Sequence, residues 1–186
     1  MDALELLVGR ESAMKLSSPG PDQEALEKMF ESALRAPDHG RLRPWRFVVV
    51  PEEKRERFGE LMAECLCRMD PAASAEMLQR ERDKALRAPV IVVAAAAVQR
   101  GHKIPDVEQL VSAAAAAENI MLAARAQGFG AMWKTGAPAY DATVKQALGL
   151  DPDNDIVGFL YVGTQVGGGS PAARPMVKDL VSVWQG

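Results

Sequence analysis

Cysteine and histidine are scarce in this 186-residue chain, with two of each. Cys65 and Cys67 lie two apart in a helix-like segment, 54–69, so their side chains project about 200° apart, which suits neither a disulfide nor shared metal ligation. With only His39 and His102 to join them, no zinc constellation can be assembled. Both cysteines read as packing or surface residues. An excess of basic charge is also missing: 22 Lys and Arg stand against 25 Asp and Glu, for a net charge of −3, with both signs scattered. Such a surface lacks the basic stripe that neutralises phosphates, which excludes a nucleic-acid binder. Long hydrophobic runs are absent too. The longest apolar stretch, Ala113 to Ala126, is broken by Glu118, Asn119 and Arg125, so it is not a membrane span. The start, Met1-Asp2-Ala3-Leu4-Glu5-Leu6-Leu7, is short and acidic, unlike a signal or transit peptide, and a cytoplasmic location is expected. No repeat, linker or low-complexity boundary divides residues 1–186, and the length suits one domain with a proper core.

What is present is a mixture of helical and strand patterns in which helices outnumber strands. Leu4, Leu7 and Val8 fall at helical spacing before Gly9, and Asp22 is suited to cap a helix over Gln23 to Arg35. Trp45 to Val50 and Val90 to Val98 read as strands, the second a continuous apolar run fit for the middle of a sheet. Helices are expected over Glu52 to Met69 and Ser74 to Leu86. The longest helix, Asp106 to Gln127, is alanine-rich and apolar around most of its circumference, so it is buried in a core or between subunits. Phe129 to Trp133 reads as a short strand, Asp141 to Leu148 as a helix and Ile156 to Val162 as a strand. A passage through Gly167-Gly168-Gly169 leads to a short helix near Val177 to Trp184. The pattern predicts an α+β sandwich, helices flanking one small sheet.

Gly128-Phe129-Gly130 begins like a dinucleotide fingerprint, but it follows a helix and opens a strand, the reverse of the required order, and Trp133 replaces the third glycine. A helix cap accounts for it better. Three polar segments are more promising. Arg10-Glu11-Ser12, just past the first helix, offers a guanidinium and a hydroxyl to an anion or a heterocycle edge, although an arginine there also balances the helix dipole. Arg35-Ala36-Pro37-Asp38-His39-Gly40, leading to Pro44-Trp45, is a proline-stiffened loop between a helix and a core strand, a common place for function. In Trp133-Lys134-Thr135-Gly136-Ala137-Pro138 a strand emerges into a polar turn, where Lys134 meets either a phosphate or only solvent.

Taken together, these segments resemble one family, the nitroreductase-like flavoproteins, and within it the small YdjA-like subgroup. The resemblance extends through Arg87-Ala88-Pro89, His102-Lys103-Ile104-Pro105, Gln127-Gly128-Phe129-Gly130 and Ile156-Val157-Gly158-Phe159-Leu160-Tyr161-Val162-Gly163-Thr164. It implies a nitroreductase-like α/β sandwich with a small, mostly antiparallel sheet. It also implies a homodimer built around the long central helix, with FMN sites shared between subunits. By the same resemblance Arg10 and Ser12 contact the flavin, with Glu11 contributing mostly backbone where the family often has a second arginine. Arg35 and His39 match the loop that reaches FMN held mainly by the other subunit. Trp133, Lys134 and Thr135 match the segment along the isoalloxazine and phosphate, with Lys134 in place of the family's usual arginine. Arg174 and Lys178 are the tail's candidates for the phosphate. The implied activity is NAD(P)H oxidation, with NADH or NADPH as donor and small nitroaromatic, quinone or enone acceptors. The cofactor supplies the chemistry, so no catalytic side chain is assigned. Another redox task on the same fold, or a non-enzymatic flavin-binding dimer, is the alternative.

Overall fold

The computed structural model describes residues 2–168 and 174–186. Four of its helices begin where a side chain satisfies the first unpaired N–H groups. Helix α1, Ala3–Gly9, has a capping box: Asp2 accepts from the Glu5 amide at 2.9 Å and Glu5 accepts from the Asp2 amide at 3.1 Å. Asp22 starts α2, Gln23–Ala33, through the Ala25 amide, and Ser74 starts α4, Ala75–Lys84, through the Met77 amide. Asp141 starts α6, Ala142–Ala147. Helix α3 spans Arg55–Met69 and α5 Asp106–Ala126.

The strands are β1, Leu16–Ser17; β2, Trp45–Val50; β3, Val90–Ala96; β4, Gly130–Lys134; and β5, Asp155–Gln165. Every pairing is antiparallel. Residues 159–162 of β5 pair with β3 on one side and β4 on the other, which makes β4 an edge and leaves β2 at the opposite edge. All seven residues of β3 are buried, as its unbroken apolar run requires of a strand covered on both faces. One face carries α3 and α6 over Phe58, Leu61, Met62, Val144, Phe159 and Tyr161. The other carries α2 and α5 over Met29, Ala116, Ala117, Ile120, Val92 and Leu160.

The α+β class and the helix-flanked antiparallel sheet agree with the sequence pattern. Several boundaries differ. The expected helix over 177–184 is only a 3₁₀ turn at Val177–Asp179, and Gly169 of the glycine passage lies outside the described residues. Strand β5 runs three residues past Val162, because Leu16 and Ser17 pair with Gln165 and Thr164 in a strand too short to leave a periodic signal. Helix α2 ends two residues before Arg35.

Candidate functional site

The edge strand β4 separates two environments by simple alternation. Trp133 turns toward the α5 face, where its indole N–H donates to the Val157 carbonyl at 3.0 Å. The ring lies so close to Gly158 that a Cβ there would come within 2.0 Å of Nε1, so this strand position requires glycine. Met132 turns toward the α3 face, and Lys134 lines two cavities with residues of that face. One, of about 300 Å³, is lined by Met62, Cys65, Glu81, Lys84, Phe159 and the turn Thr135–Pro138. The other, of about 180 Å³, is lined by Ala13, Met14, Leu16 and Met132. Arg87, Lys134 and Tyr161 line both. Lys84 is paired with Glu81, whereas Arg87 and Lys134 have no ionic partner among the described residues. The cavities therefore combine an apolar floor with two uncommitted cations at the rim, a donor set for a flat, electron-rich anion.

Burial governs the titration of the groups on these walls. The Tyr161 hydroxyl is pushed up to about 12 by burial, against the pull of Arg87 and with a further push from Glu81. It stays a neutral hydroxyl at neutral pH. Cys65 is buried and its thiol is pushed up to about 11, first by burial and then by the Asp141 carboxylate. It is consequently a packing group and not a nucleophile. Cys67 is exposed, so the two side chains do lie on different sides of α3.

The segment Arg10–Ser12 meets β4 through its neighbour, since the Ala13 amide donates to the Ala131 carbonyl at 2.9 Å. Within it the side chains separate. Arg10 forms an ion pair with Glu118 of α5, Nε to Oε1 at 3.2 Å, and Glu11 accepts from the Gln165 side chain at 3.2 Å. Ser12 is exposed, with no hydrogen-bond partner for its hydroxyl among the described residues. The tail returns to this segment: Arg174 donates to the Arg10 carbonyl at 2.6 Å. Lys178 lies in the exposed 3₁₀ turn and touches neither cavity.

The loop after α2 occupies a different part of the surface. Ser112 of α5 donates to the Pro37 carbonyl at 2.6 Å and accepts from the Trp45 indole at 2.9 Å, so α5 anchors both ends of the loop. Asp38 accepts from the amides of Leu42 and Arg43. Between them the backbone is left-handed at Gly40 (φ 72°) and, unusually for non-glycine residues, at Arg41 (φ 55°) and Arg43 (φ 49°). Such strain persists only where surrounding bonds hold it, and it concentrates at functional sites. His39, Pro37, Val107, Glu108 and Val111 line a third cavity of about 300 Å³, open on the outer side of α5. Arg35 is exposed at the start of this loop.

Within one chain, then, Lys134 and Thr135 share the cavity beside β4 and Arg10–Ser12 abuts the same strand. Arg35 and His39 line none of the cavities that Lys134 lines. Arg87 and Tyr161 lie in segments that carry the family resemblance, but nothing in those segments marks them as site residues, and Glu108 stands in no such segment. Arg87 ends an ordinary helical segment just before β3, and only the tertiary fold brings it to the same cavities as Lys134.

Residues 7–164 match the profile of the nitroreductase family. The chain is 39% identical over 164 residues to YdjA of Escherichia coli (strain K12), a protein named for NAD(P)H nitroreductase activity; the match covers 88% of each. Its fold is shared by a nitroreductase-like family protein from Bacillus cereus, with a TM-score of 0.85 at 21% identity over 100% of this chain and 97% of that one. It is shared also by a variant of NfnB from Sphigopyxis sp. strain HMH, an FMN- and NADPH-dependent nitroreductase, with a TM-score of 0.81 at 21% identity over 100% of both chains. The order of segments, the helix-flanked antiparallel sheet and the match over most of the sequence agree: this chain belongs to the nitroreductase family.

Proposed function

We propose that this chain is an FMN-dependent NAD(P)H oxidoreductase that works as a homodimer on small aromatic or conjugated acceptors. The observation that carries the reading is the pair of cavities beside β4 that share Arg87, Lys134 and Tyr161. The residues present suit FMN. Arg87 and Lys134 can face the ring's pyrimidine oxygens or the phosphate, Ser12 and Thr135 offer hydroxyls, and Phe159 with Met62 gives the ring an apolar floor. When bound, FMN supplies the chemistry, taking a hydride from NADH or NADPH and passing electrons to a nitroaromatic, quinone or enone in a ping-pong cycle. The protein's part is to hold the ring, to set positive charge beside its pyrimidine edge and to keep the pocket flat and apolar. The cations Arg87 and Lys134 favour the electron-rich reduced ring over the oxidised one.

The homodimer reading rests on where apolar surface is left. Helix α1 buries none of its residues, and Leu4, Leu7 and Val8 all face outward, Val8 at 74% exposure. Val107 and Val111 form an exposed apolar step on α5, and the tail ends in Leu180, Val181, Val183 and Trp184, the last 90% exposed. Exposed apolar surface of this extent suits a protein partner. A second copy would bring Arg35 and His39 to the cavities beside β4, which they do not line within one chain.

The test is the visible absorption spectrum of the purified protein, taken anaerobically before and after NADH and NADPH. Flavin bands that bleach with either nucleotide support the reading and select the donor. A bound flavin that stays oxidised removes the reductase activity, and failure to bind FMN at all removes the cofactor site.

A further inference from the structure

The loop that carries His39 is gripped at two points by one face of α5. Glu108 and Ser112 are one helical turn apart. Ser112 holds the Pro37 carbonyl, and the Glu108 carboxylate lies 2.6 Å from Nδ1 of His39. An ionised carboxylate only accepts hydrogen bonds, so the proton of this bond belongs to His39 Nδ1. That leaves Nε2, on the opposite edge of the ring, as the atom available to a ligand. We propose that Glu108 is a positioning residue of the cofactor site, fixing His39 in its Nδ1–H form so that Nε2 meets the ligand. This rests on the reading of His39 as part of the flavin site.

The second histidine supplies the contrast that makes the proposal testable. Nδ1 of His102 accepts from the Ile104 amide at 3.1 Å, so in that ring Nδ1 is bare and the proton sits on Nε2. The chain has only these two histidines, and their partners demand opposite tautomers. Glu108 is separated in kind from the cations beside β4: it touches neither of their cavities and acts only through His39.

Long-range proton–nitrogen NMR spectra of ¹⁵N-histidine-labelled full-length protein, recorded where both rings are neutral, read each tautomer directly; a His102→Gln variant assigns the signals. One ring is expected as Nδ1–H and the other as Nε2–H. Glu108→Gln, whose amide oxygen still accepts the Nδ1 proton, should keep the pattern. Glu108→Ala should lose the fixed Nδ1–H signature and weaken FMN binding about fivefold, the worth of one net hydrogen bond. Two Nε2–H rings in the wild type, or an FMN affinity unchanged in Glu108→Ala, would overturn the proposal. Opposite tautomers in a protein that binds no FMN would overturn the role through the cofactor reading instead, leaving the Glu108–His39 bond intact.

Discussion

The two faces of the sheet are built from different materials. The α3/α6 face packs large side chains, Phe58, Leu61, Met62, Phe159 and Tyr161, with the rings of Phe58 and Phe159 5.8 Å apart. Its margin is tied by ion pairs, among them a two-point Arg68–Asp141 fork. The α2/α5 face packs mostly small ones: Ala116, Ala117 and Ala124 stand fully buried between α5 and the sheet. Small residues let α5 lie close to the strands, yet the same helix turns Val107 and Val111 outward. One face gains stability from volume within the chain. The other holds a helix close and leaves its outer side exposed beside the His39 loop.

Removing volume from the first face should have the largest effect. Phe159→Ala, at a position 1% exposed in the central strand, should lower unfolding stability by about 3–5 kcal/mol, read by urea denaturation. Adding volume to the second face comes next. Ala117→Leu should cost about 1–3 kcal/mol, because α5 must move off the sheet, and its cost should fall short of that of Phe159→Ala. If Ala117→Leu is neutral, the close approach of α5 is not what its alanines secure. Between the faces, at β4, the expected effect is on binding and not on stability. Replacing Arg87 and Lys134 by glutamine should weaken FMN binding about tenfold for each charge-assisted bond lost, with the urea midpoint unchanged. An unchanged FMN affinity would show that the cations beside β4 do not serve the cofactor.

The smallest effect concerns pH. Burial opposes ionisation of Asp141, but the hydrogen bonds from Arg68 and from the Val144 amide outweigh it and hold the carboxyl below its usual value. A depressed folded-state value means stability that is present above the unfolded carboxyl's range, about pH 4, and lost as pH falls through the folded value. Thermal unfolding between neutral pH and about pH 3 should therefore fall more steeply in the wild type than in Asp141→Asn. Parallel curves would show that this fork contributes nothing to the acid limb.

The sheet and most helices were legible because their signals are local. The unbroken apolar run at 90–96 allows only a strand covered on both faces, and Asp2, Asp22, Ser74 and Asp141 announce helix starts in the sequence itself. The segments around Arg10, His39 and Lys134 stood out for similar reasons: polar residues stiffened by glycine and proline at element ends. The tail misled, because Val177 to Trp184 has helical spacing but stays exposed among the described residues, and helix formation that short needs tertiary contacts. Arg87 was legible only as part of a segment that carries the resemblance, and Glu108 not at all, since an exposed charge on or beside a helix looks the same whether or not a cavity lies next to it.

By itself, then, the sequence determined the α+β class, the order of the longer helices and strands and the three polar segments that carry the family resemblance, because periodicity, caps and turn residues act over a few positions. Tertiary structure alone decided that Arg87 stands with Lys134, that Glu108 holds His39 and that Trp133 and Lys134 part to opposite faces of β4. Those outcomes depend on strand order and register, which join residues far apart in the chain. Spacing within a single segment carries no information about them.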